Sequence, residues 1–219
     1  YVVLSTFSAD DVFTKYIHKF TKSKITHASL SFDSSLSTMY SFSTYMEKGL
    51  LKGGVVKESK KYYAQSGGTR LAVFVSFVTP EQKVKMREAV DEVVKNPDKW
   101  RYNFEGIFGQ MINKPIAAKN AMFCSEFIDK MFKAADIKLT DKDNSAGVSP
   151  ADLYTNITNK SVYKVYDGPI NNYSESRINK KIAELENNTA AKTKEIIKEY
   201  TEIKTPDINP LFVKSFLLR

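Results

Sequence analysis

The sequence predicts a mixed α+β domain followed by a helical C-terminal tail, and three observations carry that prediction. Short β-rich runs that alternate in hydropathy occur at Ile25 to Phe32, Leu36 to Phe42 and Ser161 to Tyr166. An apolar-periodic helix follows Phe123. Beyond Asp167-Gly168-Pro169, apolar residues recur at helical spacings amid Lys and Glu. Residues 1–168 are therefore read as the domain and residues 169–219 as a charged amphipathic tail.

In chain order, Tyr1 to Thr6 is apolar and β-branched enough for a buried strand, and Ser8-Ala9-Asp10-Asp11 caps a helix through Phe13, Ile17 and Phe20. Ile25 to Phe32 puts Ala28, Leu30 and Phe32 on one face and His27, Ser29 and Ser31 on the other. Asp33-Ser34-Ser35 turns the chain into a second strand, giving a hairpin. With Ser34 and Ser35 as a two-residue loop, Ser31 faces Thr38, Ser29 faces Tyr40 and His27 faces Phe42, so Tyr40 shares the histidine's face. A slip of one residue places Met39 and Ser41 there instead.

Gly49, Gly53 and Gly54 mark a loop leading to Val55 and Val56, and Lys60 to Arg70 reads as a basic turn region bordering a cleft. Leu71 to Val78 is the best central strand, and Thr79-Pro80-Glu81-Gln82 opens a helix that stops near Asn96-Pro97. Trp100 to Phe108 is an aromatic segment with only Arg101 interleaved, hence a core or cleft-wall piece rather than a nucleic-acid platform. Ser149 to Tyr154 is a short capped helix. In the tail, Ile178, Ile182, Leu185, Ile196, Tyr200 and Ile203 outline a helix weakened near Asn187-Asn188, which either packs on its own domain or serves as a partner-binding arm.

The chain has 219 residues, 42% hydrophobic and 26% charged, and no window approaches the roughly 18 unbroken apolar residues of a membrane span. A single cysteine excludes an intramolecular disulfide, and with only two histidines, His18 and His27, it leaves little material for a zinc site. There is no Gly-rich phosphate loop, H-E-x-x-H or paired-carboxylate motif, so no metal or cofactor is expected. The net charge of +8 favours an anionic neighbour such as a cell-wall polymer, a membrane surface or an acidic protein; nucleic acid has only the charge to support it.

Cys124 carries the chemistry. From it, apolar residues fall at Phe127, Ile128, Met131 and Ala135, steps of three, four, seven and eleven, so the segment is a helix with one face on a core and Cys124 in its first turn. Unpaired N–H groups and the positive dipole end there favour a thiolate. Against this stands the bland reading of a free cysteine as a small buried hydrophobe. A thiol nucleophile needs an imidazole, an orienting group for that imidazole, and N–H donors for an oxyanion. His27 is better placed than His18, because its strand face carries the small Ser29 and Ser31, which leave room for a helix N-terminus.

The run Phe20-Thr21-Lys22-Ser23-Lys24-Ile25-Thr26-His27-Ala28-Ser29-Leu30, then a hairpin, then Phe123-Cys124-Ser125-Glu126-Phe127, resembles the circularly permuted branch of the NlpC/P60 papain-like superfamily, the YiiX-like group. The resemblance spans Tyr1 to Tyr166 in element order and rests on two motifs, T-x-S-x-x-x-H and F-C-S-E. It implies a papain-like α+β core, an antiparallel sheet packed against the cysteine helix. It further implies Cys124 as nucleophile, His27 as base and the Cys124 N–H in an oxyanion hole. The family's third residue, often a Glu in the strand after the histidine, falls near Tyr40, a phenol that stabilises an imidazolium less than a carboxylate does. The expected activity is a thiol hydrolase or acyltransferase acting on an amide or ester bond of cell-wall peptide or a lipid acyl group. The alternative is a non-catalytic binding or structural module of the same fold within a larger assembly, joined through its tail.

Overall fold

The structure, a computed structural model, describes residues 1–6, 23–44, 52–65, 68–112 and 114–202. The expected first helix, with His18, and the apolar run Leu211 to Leu218 lie outside the described residues. The chain forms two compact units, Tyr1–Glu175 and Ser176–Arg219.

The first unit is built on strands β1 (Val2–Ser5), β2 (His27–Ser31), β3 (Met39–Thr44) and β4 (Gly53–Glu58), then helix α1 (Lys60–Gln65) and strand β5 (Arg70–Ser76). Helix α2 (Pro80–Lys95), strand β6 (Arg101–Tyr102), helix α3 (Phe104–Met111), strand β7 (Ala121–Met122) and helix α4 (Cys124–Ala134) follow. Helix α5 (Pro150–Thr155) and strand β8 (Val162–Pro169) complete it. Six strands make one antiparallel sheet in the order β4-β3-β2-β1-β5-β8. The remaining pair, β6 and β7, runs parallel and leads directly into α4.

Strand alternation sorts the core. Val2, Leu4, Ala28, Leu30, Ala72 and Phe74 share one cluster with residues of α2 and α4, and the Phe42 ring lies 5.4 Å from that of Phe127. Val3 and Val73, opposite each other, turn to the other face. The Leu71 run is an interior strand as expected, paired with β1 on one side and β8 on the other and buried along most of its length, and β1 beside it is likewise hydrogen-bonded on both sides. Two helices open with capping boxes, Thr79 with Gln82 for α2 and Ser149 with Asp152 for α5, which satisfies donors that a helix start otherwise leaves unpaired.

The hairpin departs from the two-residue loop. Leu36 is fully buried at φ 54, and Ser31 Oγ donates to the carbonyls of Asp33 and Thr38, so β3 begins only at Met39. The resulting register pairs Ser31 with Met39 and Leu30 with Tyr40, one residue off the two-residue scheme. Such a shift exchanges the faces of every side chain on the strand.

Asp167-Gly168-Pro169 is the end of β8, paired to β5 as far as Pro169, and does not end the unit. Ile170 is buried and the Tyr173 hydroxyl donates to Ser34 O at 2.6 Å, so the unit continues to Glu175. The tail is helical, α6 (Glu175–Glu202), and runs through Asn187-Asn188 without a break. An Asn costs well under ~1 kcal/mol in a helix interior, too little to interrupt a long one. Among the described residues no helix is long and apolar enough to cross a membrane.

Candidate active site

Cys124 is the first residue of α4, and Phe123, its N-cap, supplies no side-chain hydrogen bond, so no side chain caps the helix start. The apolar face predicted for this helix is buried: Phe127 and Ile128 are fully enclosed, and Met131 and Ala135 lie beside them. Its opposite flank carries two wholly buried carboxylates. Glu126 is met by Lys130 at 2.8 Å and by Asn103 Nδ2 at 3.0 Å; Asp129 is met by Lys133 at 2.8 Å. The two lysine pairs are contacts within α4, one turn apart, while Asn103 ties the helix to the residue that precedes α3.

His27 opens β2, and the Cys124 thiol is among the groups that raise its imidazole, which places the two within electrostatic reach of each other. The other side of the ring is held by Glu58, the last residue of β4. His27 Nε2 lies 3.0 Å from Glu58 Oε1 and 3.2 Å from Oε2, and donates to that carboxylate. Nδ1 is then the nitrogen left for the sulfur. Glu58 Oε2 also accepts from Ser29 Oγ at 2.7 Å and from the Tyr63 hydroxyl of α1 at 2.5 Å. A carboxylate receiving three donors is held ionised.

The electrostatics follow from burial opposed by charge. Burial pushes the His27 imidazole down, but the Glu58 charge beside it, the hydrogen bonds to Cys124 and Glu58 and the Cys124 charge outweigh that, leaving it pushed up to about 10. For Glu58, burial raises the carboxyl, and the His27 charge with the three hydrogen bonds brings it below its ordinary range. Burial first, then the Glu58 charge and hydrogen bond, drives the Tyr63 phenol well above its ordinary value, so it stays a neutral donor. At neutral pH the site therefore holds an imidazolium between a carboxylate and a sulfur.

Tyr40 does not take the third position. Facing Leu30, it points away from the strand face of His27, and its ring stands edge-on to Phe32 at 6.3 Å. The cause is the longer hairpin loop held by Leu36. Nor do Ser29 and Ser31 make room for the helix: Ser29 binds Glu58, Ser31 ties the loop, and the helix rests on the Phe42 side of the sheet. Tyr40→Phe is accordingly expected to change the alkylation rate of Cys124 by less than about twofold, the scale of a substitution outside a polar network. A drop of an order of magnitude would return Tyr40 to the site.

Sequence reasoning missed Glu58 and Tyr63. Glu58 comes from the strand beyond the hairpin and reaches across β3; it is paired with Met39, which in turn pairs with Ser31. A cavity of about 520 Å³ is lined by Thr6, Ile25, Arg70, Leu71 and Tyr154, among others. Cys124, His27 and Glu58 are not among its lining residues. Among the described residues no group of three or more His, Cys, Asp or Glu is arranged to hold a metal ion.

The first unit is an α+β fold in which Cys124 starts a helix and a buried His27–Glu58 pair lies within electrostatic reach of it. Comparison with family models, with curated proteins and with solved structures finds no match for the chain.

Proposed function

We propose that the protein is a thiol hydrolase or acyltransferase, built on the permuted NlpC/P60 papain-like plan, that acts on an amide or ester bond of a cell-wall peptide or a lipid acyl group. One observation carries the reading: the imidazole that senses the Cys124 thiol is fixed at Nε2 by a buried, ionised Glu58. A structural cysteine has no need of this arrangement.

In the reaction, the Cys124 thiolate attacks the substrate carbonyl carbon and the oxygen takes up the negative charge. First-turn N–H groups of α4, left without a side-chain cap, are the donors that such an oxyanion requires. Collapse of the tetrahedral species breaks the bond to the amine or alcohol, which leaves with the proton from His27, giving a thioester on Cys124. Neutral His27 then takes a proton from water, or from an acceptor alcohol or amine, whose oxygen or nitrogen attacks the thioester and releases the thiolate. Glu58 holds the ring so that Nδ1 faces sulfur throughout and stabilises each imidazolium.

The test is intact-mass spectrometry of the full chain after incubation with p-nitrophenyl esters of short and long acids and with an amide peptide. The expected result is a single acyl adduct on Cys124 that hydroxylamine discharges. No adduct from any of these, together with alkylation of Cys124 no faster than a free thiol, would assign it to packing and the protein to the binding-module class.

A further inference from the structure

At the C-terminal end of α3 the fold holds apolar side chains outward. Phe108, Ile112 and Ile116 are 60%, 48% and 37% exposed. Phe108 and Ile112 lie one turn apart, with Ile112 N–H bonded to Phe108 O at 3.3 Å. Ile116 folds back on Gly109: a Cβ there would stand 2.4 Å from Lys114 O and 2.8 Å from Ile116 Cγ1, so only glycine permits the approach. The three side chains thus form one ridge.

Buried polar contacts keep that ridge in place. Asn103, 1% exposed, donates Nδ2 to Ile116 O at 3.1 Å and to Glu126 Oε2 at 3.0 Å, while its Oδ1 accepts from Gly106 N–H at 2.8 Å. Gln110 Nε2 reaches Ala146 O at 3.2 Å and Lys114 N–H reaches Gly109 O at 2.8 Å. A loop tied down this firmly, with its isoleucine outside, is not one whose apolar residues failed to find the core.

Charge says what covers it. Between positions 101 and 120 there are three cations, Arg101, Lys114 and Lys119, and one carboxylate, Glu105. Lys114 and Lys119 bracket Ile116, and both are exposed without an ion pair among the described residues. Lysine is depleted from the cores of protein interfaces, whereas apolar tips collared by long cationic side chains suit the boundary between lipid headgroups and acyl chains. We propose that this ridge docks the protein on an anionic lipid surface, with Phe108, Ile112 and Ile116 entering the boundary and Lys114 and Lys119 pairing with lipid phosphates. The inference goes beyond the hydrolase reading and does not depend on it.

The experiment is co-sedimentation of the full chain with vesicles of phosphatidylcholine, alone or mixed with phosphatidylglycerol, at low and high salt. Wild type is expected to bind the mixed vesicles, and more weakly in high salt. F108S/I112S/I116S should weaken that binding by at least about tenfold, and K114E/K119E should abolish the preference for anionic vesicles. Unchanged thermal melting and Cys124 alkylation in both variants would show that the fold is intact. Wild type that ignores vesicles, or a triple serine variant that binds as wild type does, overturns the proposal. Self-association removed by the same serines without vesicle binding would assign the ridge to a second copy of the chain and overturn it equally.

Discussion

Cys124→Ala is expected to remove turnover, by about 10⁴-fold or more on any substrate the wild-type protein cleaves, the scale seen when a nucleophile is deleted from a unit that acts together. The structure separates this loss from unfolding. The thiol is a small group at the edge of the core, and alanine leaves Phe127 and Ile128 packed and His27 still bound to Glu58. A cost of order 1 kcal/mol is expected, a shift of a few degrees in melting temperature. Cys124→Ser keeps a hydrogen-bonding group beside the imidazole but supplies a poorer nucleophile, so it should be nearly as inactive. Activity in either variant equal to wild type would take Cys124 out of the mechanism.

The second large effect is expected from Glu58→Gln, which keeps the shape and removes the charge. Without the carboxylate the imidazolium loses its partner and the ring its fixed tautomer, so kcat should fall by about 10² to 10⁴. Tyr63 and Ser29, which both donate to Glu58 Oε2, would compete with the amide for a partner, adding instability in a buried network. The pH dependence has a definite sign. Held up to about 10 against an ordinary 6.5, His27 contributes stability that is complete below pH 6.5 and lost as pH rises toward 10. Glu58, held below its ordinary 4.5, contributes stability present above that pH and lost as pH falls through its lowered value. Both describe one interaction, fullest between about pH 4.5 and 6.5. Denaturant midpoints measured from acid to alkaline pH should trace this plateau in wild type and lose both flanks in Glu58→Gln. Identical profiles would mean that the pair does not stabilise the fold.

Cys124 and His27 were legible because local chemistry announces them: the helix by its apolar steps, the strand by its alternation, and both by scarcity, since no other cysteine competes. Glu58 was not, because its partnership exists only in the sheet. Nothing in Val55-Val56-Lys57-Glu58 distinguishes this acid from a solvated one, and the glycines before it read as loop. A faint signal was available in Ser59, whose Oγ accepts from Tyr62 N–H at 3.2 Å and starts the helix that delivers Tyr63. The Tyr40 assignment failed at a single backbone angle. A leucine at positive φ is disfavoured by its own Cβ, so sequence reasoning does not propose it; burial of the Leu36 side chain offsets that cost here. The serine-rich turn thereby became longer than its composition suggests.

The position of β1 between β2 and β5 bears on how the chain reaches this state. Val2 is paired with Leu30 on one side and Phe74 on the other, and β5 in turn waits for Pro169 to pair with Arg70. During synthesis the strand at the middle of the sheet emerges before every partner it will have, and the last edge closes only after most of the unit has left the ribosome. Loop closure over such separations comes before the contacts that reward it, so the unit belongs with domains that fold in milliseconds to seconds rather than microseconds. Until then Val2-Val3-Leu4 is an apolar β-segment with both edges open, the part of the nascent chain most in need of shielding from other chains.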